Sequence, residues 1–375
     1  DIFDRINNYG KRLSRAEIFS ALNAGNEEDS ARKLDLEQIA DHVENQFGFG
    51  RLDADTVLRA ILARRGADVQ REIRLEFDDD RRGGGEFPNE DRDAAFEAGE
   101  EALFHAVIFL QSIGVPHFAL MPYRYLLVVL TRVFAHHPDP DPANLRLLGR
   151  WFWQAASLGP EIFKGSATGA MRMLCARVRP DSLTGSIGDL LSALDNHQAK
   201  IPDLRRFRTN EAAVKITLCS WWDLSPRSPD TGDRFEQPQL AEALIDRATA
   251  ADVVLSFFAR RTVPETHRLW AANRVLLPKL TEPVTEVAGL FSQRPPDMNE
   301  ELWTKVLRSH SISAESEDLL SSGEVVSFLQ TRNADLQRSL ESFLRRKCEW
   351  DFEDTPPLNE LLIEDLIDEE GDDAA

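Results

Sequence analysis

Apolar residues recur every three or four positions along most of the chain, which is the spacing of one face of an α-helix. This pattern predicts helices over residues 36–47, 54–65, 92–113, 122–135, 144–158, 160–179, 185–195 and 324–349. The last of these is amphipathic and about seven turns long. Short β-branched runs at Val253-Val254 and Val275-Leu276-Leu277 are the only strand candidates. We therefore predict a mainly α fold, a multi-helical body with little β structure.

Stretches rich in charge, glycine and proline interrupt the helical pattern. The plainest is DDDRRGGGEFPNED at 78–91, and two proline-spaced loops follow at 136–144 and 225–239. These breaks divide the chain into five expected parts. They are the edge of an upstream domain (1–25), a helical segment with a linker (26–87), a helical domain (88–200), a C-terminal helical domain (201–350) and an acidic tail (351–375).

The chain opens inside a helical pattern. Three apolar residues within 2–6 lie on one helical face, and the run Asn7-Asn8-Tyr9-Gly10 that follows is typical of a helix end. Ser14 and Glu17 have the spacing of a capping box at the start of a second helix. A helix that lacks its beginning indicates a truncated chain, and we expect the upstream half of the protein to be absent.

The composition is that of a soluble globular protein, with 42% hydrophobic and 29% charged residues. The longest uncharged run, 106–123, approaches the length of a membrane span, but Gly114, Pro116 and Pro122 interrupt it. Two buried helices joined by a Gly-Val-Pro turn fit this run better, so no membrane is expected as a partner. The three cysteines are far apart and odd in number, which favours a reducing compartment. We expect a cytoplasmic protein.

The net charge of −20 is unevenly distributed. Residues 351–375 contain eleven Asp or Glu and no Lys or Arg, which leaves −9 for the preceding 350 residues. A body of this sign does not attract nucleic acid as a whole, so any such contact must be local. The tail also interleaves Leu and Ile with its acids over 358–367. Either it is disordered, or it docks on a partner or covers a basic surface.

Common catalytic motifs, such as a phosphate-binding Gly-rich loop or an H-E-x-x-H zinc motif, are missing. His267, Asn273 and His310 occur in the order of an HNH nuclease, in which a histidine activates water, an asparagine orients it and a further histidine helps to hold a divalent ion. The alternative is that these residues have surface or capping roles. His136 and His137 stand in the first proline loop, where solvated side chains are predicted. We assign no metal ligand.

Arg205, Arg206 and Arg208 surround Phe207 just before a predicted helix. Arginines beside an aromatic side chain suit the binding of phosphates and exposed bases. They also suit an ordinary helix entry that is held by salt bridges. The sequence therefore predicts a nucleic-acid contact here and leaves the structural alternative open.

The opening segment, Arg5 to Ser14, resembles the R-I-N-x-x-G-x-x-L-S signature near the end of the ParB-like domain of bacterial GmrSD-type, modification-dependent restriction proteins. Arg5, Asn7, Gly10 and Ser14 carry this motif, and the resemblance implies structural roles for them. Further segments look similar to landmarks of that family, at 150–156, 207–215, 230–232, 272–278, 309–312 and 328–332.

The resemblance implies that residues 1–25 are the end of an α+β ParB-like domain. In this family an upstream D-G-Q-Q-R motif binds and hydrolyses nucleotide, and that motif does not occur in these 375 residues. No cofactor is therefore expected in this part, whereas a nucleoside triphosphate and a divalent metal are implied for the longer protein. Relatives often end in an HNH domain whose first strand carries H-H-I-x-P or D-H-I-x-P. The corresponding VVLSFFARR at 253–261 lacks the leading histidine.

The leading hypothesis is a non-catalytic, DNA-sensing and regulatory portion of a GmrSD-like restriction or phage-defence protein. Its expected partners are modified DNA and either the missing N-terminal domain or another defence subunit. The first alternative is a divergent metal-dependent HNH endonuclease within 201–350. The second is a helical scaffold that binds a protein partner without catalysis of its own.

Overall fold

The computed structural model describes residues 36–69 and 86–350, apart from residues 89, 164, 165, 196, 198, 199, 248, 283 and 285. The predictions for the opening motif (Arg5, Asn7, Gly10 and Ser14), for most of the 78–91 linker and for the acidic tail lie outside the described residues. The division into domains is not tested by the described residues and stays a prediction.

The described residues form thirteen α-helices and one pair of strands, with short 3-10 turns between them. The helices are α1 (Leu36–Phe47), α2 (Ala54–Arg64), α3 (Arg92–Ser112), α4 (Arg124–His136), α5 (Pro142–Leu158), α6 (Ala167–Cys175), α7 (Leu183–Ser192), α8 (Ala212–Asp223), α9 (Gln237–Ala243), α10 (Ala288–Ser292), α11 (Glu300–Ser309), α12 (Ala314–Ser321) and α13 (Val325–Cys348). The strands are β1 (Val254–Ser256) and β2 (Arg274–Leu276). The predicted mainly α fold is confirmed.

Short polar side chains begin many of these helices. The Asp141 carboxylate accepts hydrogen bonds from the backbone N–H groups of Ala143 and Asn144, and Pro142 occupies the first turn of α5. Such caps satisfy backbone donors that the helix itself leaves unpaired. The same arrangement begins α2, α3, α6, α7, α11 and α12, at Asp53, Asp91, Ser166, Ser182, Asn299 and Ser313.

The helix α4 is the centre of the first half of the molecule. Its residues from Tyr125 to Phe134 are all buried, and it packs against α2, α3 and α6. Leucine and valine dominate this stretch, with Arg132 as its one charged side chain, so most of the helix surface is apolar and is covered by neighbouring helices. The helices α2, α3 and α6 therefore cover α4, and little of α4 is exposed to solvent.

The long helix α13 organises the second half. It packs against α5, α8 and α12 and against the 3-10 turn Ala271–Asn273. That turn leads into β2, which pairs antiparallel with β1 so that Val254 faces Leu276 and Ser256 faces Arg274. Buried apolar residues of both halves form one continuous core cluster.

The uncharged run 106–123 is divided between the end of α3 and a loop. Gly114 has a φ of +104°, in the region that favours glycine, and a 3-10 turn at Phe118–Leu120 precedes α4. Over the ranges described above, none of the helices has both the length and the apolar character that crossing a membrane requires.

Helices α1 to α7 and α13 lie where the sequence pattern predicts helices, whereas α9 to α12 are not among the predicted ranges. The predicted 36–47 and 324–349 helices correspond to α1 and α13, and each of the two β-branched runs overlaps one strand, β1 or β2. The predicted 160–179 helix is shorter, because a 3-10 turn at Pro160–Ile162 and a Ser166 cap delay its start and α6 ends at Cys175.

The prediction of solvated side chains at 136 and 137 is wrong for His136. This residue is the last of α4, and its side chain is only 4% exposed. The imidazole bonds the Glu86 carboxylate at 2.8 Å and stacks on the Phe87 ring with centroids 5.0 Å apart. Glu86 also accepts a bond from the buried Arg132, and these partners lower the pKa of its carboxyl to about 2, against the opposing effect of burial. The loop prediction failed because residues 86 and 87 fold back over the end of α4.

Candidate nucleic-acid interface

Two loop segments that are distant in sequence lie side by side on the surface. The backbone N–H of Phe207 donates to the carbonyl of Leu269 at 2.8 Å, and that of Ala271 donates to the carbonyl of Leu204 at 2.7 Å. The first segment precedes α8, and the second belongs to the connection between β1 and β2. These two bonds bring the predicted arginine cluster next to residues 267–271.

The aromatic side chain predicted to accompany these arginines is a different one. Phe207 is buried and stacks on Trp221 with centroids 5.5 Å apart and planes 10° apart, so it is not available to a base. Trp270 is half-buried instead, with the Arg205 guanidinium 5.7 Å and the His267 ring 4.2 Å from its ring centre. Sequence reasoning missed Trp270 because it is 65 positions away from Arg205.

Arg205, Arg206 and Arg208 are all exposed. Arg206 and Arg208 share one carboxylate, that of Glu211, at 3.3 and 4.0 Å. No described carboxylate forms an ion pair with Arg205, nor with the exposed Arg260 and Arg261 in the β1–β2 connection. Exposed pairs of this kind contribute little stability, about 0–1 kcal/mol, so the arginines are poorly explained as a structural network.

We call the side chains of Arg205, Arg206, Arg208, Arg260, Arg261, His267, Arg268 and Trp270 the basic surface. Residues 200–211 contain four Lys or Arg against two Asp or Glu, and residues 257–274 contain four Arg against one Glu. The two segments thus carry five net positive charges in a chain whose total is −20. A local positive patch of this kind is the electrostatic requirement for a nucleic-acid contact on an acidic protein.

The buried side chain of Asn273 joins the two ends of the β1–β2 connection. This side chain is 2% exposed, and its amide oxygen accepts the backbone N–H of Phe258 at 2.9 Å while its amide nitrogen donates to the carbonyl of the same residue at 3.1 Å. These two bonds continue the contacts between β1 and β2 beyond the strands themselves, with the Asn273 side chain in the place of a backbone partner. Asn273 therefore bonds backbone groups of this connection from the interior.

His310 is buried at the end of α11. Its Nε2 lies 2.7 Å from the carbonyl of Arg227, to which it donates when that nitrogen carries the proton, and its ring packs edge-on against Phe291. Burial lowers the pKa of His310 to about 4, so the imidazole is neutral at pH 7. His267 is half-buried on a 3-10 turn, where Nδ1 bonds the Thr266 hydroxyl.

The three HNH candidates are thus engaged with different partners: the backbone of Phe258, the carbonyl of Arg227 and the hydroxyl of Thr266. Among residues 36–69 and 86–350, no three His, Cys, Asp or Glu side chains form a group that could hold a metal ion. The structure brings His267 to the basic surface and puts Asn273 and His310 in the interior.

Arg332 of α13 is a second residue that sequence reasoning missed. Its guanidinium is 1% exposed and donates to the carbonyls of Ala272, Arg274 and His310 at 2.6, 2.9 and 3.0 Å. Burial lowers its pKa to about 9. Arg332 therefore ties α13 to the turn beneath Trp270 and to the end of α11. An arginine at an apolar position of the amphipathic pattern was the available signal.

No known protein family matches this chain, and no curated protein is detectably similar to it.

Proposed function

We propose that this chain is the helical, DNA-contacting and regulatory portion of a GmrSD-like restriction or phage-defence protein, and that the basic surface is its DNA contact. The family part of the proposal is supported by the resemblance of residues 5–14 and of the later segments. The single observation that carries the DNA contact is the set of exposed, unpaired and weakly paired arginines on two adjoining segments of a strongly acidic chain, with the Arg205 guanidinium 5.7 Å from the centre of the Trp270 ring.

The chemistry of the surface suits this role. Guanidinium groups bind phosphate oxygens through paired N–H donors, and they keep their charge at all physiological pH values. Trp270 offers a ring on which an unstacked base can lie. The interior bonds of Asn273 and Arg332 hold the connection that carries these side chains, so the surface is pre-formed on an irregular segment.

The test is DNA binding as a function of salt concentration. A fluorescent duplex of about 20 base pairs is titrated with the chain and with the Arg205→Ala/Arg206→Ala/Arg208→Ala variant. We expect the variant to lose affinity at least tenfold and to reduce the slope of log K against log salt by about 2–3, since each phosphate contact contributes about 0.9. Duplexes with and without modified cytosine measure any preference for modification.

The matched control is Arg172→Ala/Arg179→Ala/Arg247→Ala. These three arginines are as exposed as the first set, and each pairs with one partly exposed or exposed carboxylate, those of Asp68, Asp189 and Asp252. The control removes the same charge from other parts of the surface. Equal losses in both triple variants would show non-specific charge attraction and would contradict the assigned contact.

Metal-dependent cleavage is the second candidate, because β1 and β2 form the short strand pair that an HNH site needs and Asn273 stands at the start of β2. Plasmid DNA is incubated with the chain and Mg²⁺ or Mn²⁺, beside a His267→Ala variant. Our proposal expects no cleavage from either protein. Cleavage that disappears in the His267→Ala variant would replace the regulatory role with a catalytic one.

A further inference from the structure

The same polypeptide contains a segment whose charge is opposite to that of the basic surface. We propose that the acidic tail, residues 351–375, docks on the basic surface and competes there with nucleic acid. The docking itself stands on the charges and geometry of this chain, while its regulatory meaning rests on the proposed function.

Charge complementarity is the first argument. Residues 364–373 contain seven Asp or Glu and no Lys or Arg, and the two basic segments carry five net positive charges. Carboxylates bind the guanidinium fork in the same bidentate geometry as phosphate oxygens. The tail therefore presents the chemistry that these arginines recognise.

Apolar complementarity is the second argument. Leu269 is 45% exposed and Ile201 is 39% exposed, although both belong to the two segments that form the basic surface. Only three other large hydrophobic side chains in the described part of the chain are comparably exposed. The tail interleaves its acids with Leu361, Leu362, Ile363, Leu366 and Ile367, so it matches both properties of the surface, whereas a DNA backbone matches only the charge.

The reach of the tail is the third argument. Arg332 contacts the carbonyls of Ala271 and Ala272 directly after Trp270, and α13 runs from there to Cys348. Sixteen helical residues span about 24 Å, and the ten residues 351–360 can extend over about 33 Å. Residues 361–373 can therefore return along α13 and lie on the basic surface of the same molecule.

The tether strengthens a weak contact. A covalent tether of this length gives an effective concentration of about 1 mM, so a segment with a dissociation constant of about 100 µM occupies its site about nine-tenths of the time. Such occupancy lowers the apparent affinity of a competing ligand about tenfold. The contact is also electrostatic, so salt weakens it.

The first measurement uses no nucleic acid. A fluorescent peptide of residues 351–375 is titrated, at about 50 mM and 300 mM salt, with a full-length chain whose seven acidic residues between 364 and 373 are replaced by the corresponding amides. We expect saturable binding at low salt that weakens at high salt. The Arg205→Ala/Arg206→Ala/Arg208→Ala substitutions should abolish it, and Arg172→Ala/Arg179→Ala/Arg247→Ala should leave it intact. Absent binding, or equal binding to both triple variants, overturns the proposal.

The second measurement adds DNA. The amide-tail chain should bind the duplex about tenfold more tightly than the native chain, and this gain should shrink with salt. Peptide binding without any DNA binding would contradict the proposed function and leave the docking intact. Tight DNA binding that is equal for native and amide tails, together with no peptide binding, would contradict the docking and leave the proposed function intact.

Discussion

The helices around α4 and the strand pair beside α13 contribute to one continuous core, but their interiors are stabilised differently. Around α4 most buried residues are leucine, valine and phenylalanine, and most backbone bonds are inside the helices, with one buried arginine, Arg132, that donates to the carbonyls of Ala63 and Cys175. Beside α13 the backbone is irregular, so its carbonyls and N–H groups need partners from elsewhere. Arg332, Asn273 and His310 supply them from the interior.

This difference predicts opposite tolerance to substitution. Away from Arg132, the core around α4 should accept changes that preserve volume and apolar character, since its backbone bonds are made within the helices. A core that depends on polar side chains loses stability when one donor is removed, because each buried carbonyl left without a hydrogen bond has lost its contact with water and gained no partner. Four substitutions test this contrast.

Arg332→Met should have the largest effect. It leaves the carbonyls of Ala272, Arg274 and His310 unpaired in the interior, at a cost of about 3–5 kcal/mol in the free energy of unfolding. Urea denaturation followed by circular dichroism measures this loss. Arg346→Met on the same helix is the control, since that side chain is 59% exposed, pairs with the partly exposed carboxylate of Asp223 and should change stability by less than about 1 kcal/mol. Comparable losses for the two would refute the role of Arg332.

Leu130→Ala probes the apolar region at a fully buried position of α4. We expect a loss of about 3 kcal/mol from the transfer and cavity costs, whereas Leu130→Met should cost less than about 1.5 kcal/mol. The same denaturation experiment compares them. A loss in the Met variant as large as in the Ala variant would show that this region also depends on exact shape rather than on apolar volume.

Acid should destabilise the protein through His310. Burial lowers its pKa to about 4 in the folded chain, while the unfolded chain titrates near 6.5. The unfolded state therefore binds more protons between these values, so this contribution is complete above about pH 6.5 and is lost as pH falls towards 4, by about 1.4 kcal/mol per unit.

His310→Gln removes this proton uptake while keeping a side-chain donor. The slope of the unfolding free energy between pH 6.5 and 4 should then become shallower by one proton. His117, which burial also shifts to a pKa of about 4, remains in the variant and keeps part of the slope. An unchanged slope would mean that His310 is already protonated in the folded state.

Asn273→Ala should have the smallest of these effects, about 2 kcal/mol, because one residue, Phe258, loses its two side-chain bonds. Asn273→Asp keeps the acceptor and loses the donor, so we expect it to lower the free energy of unfolding at least as much as Asn273→Ala does. Because Asn273 closes the connection that carries Trp270, both variants should also weaken DNA binding while the helical content stays unchanged. Full DNA affinity in either variant would show that the bonds between Asn273 and Phe258 are not needed to position the basic surface.

The mainly α fold and both strands could be predicted because hydrophobic periodicity is a local property. The positions of α1 and α13 follow directly from it, and short β-branched runs locate β1 and β2 to within about two residues. The candidate site could be predicted only in part, since Arg205, Arg206 and Arg208 are exposed as expected, while their aromatic neighbour is Trp270 rather than Phe207. The role of His136 was missed because residues 86 and 87 fold back on it.

The sequence by itself determined which segments become helices, where their caps lie and where charge concentrates, because each of these depends on residues within a few positions of one another. Only the tertiary structure decided which loops meet: two backbone bonds join residues 204–207 to 269–271, and Arg332 bonds carbonyls some sixty positions earlier in the chain. Those contacts are made between surfaces that exist only after the helices have packed, so no local pattern encodes them.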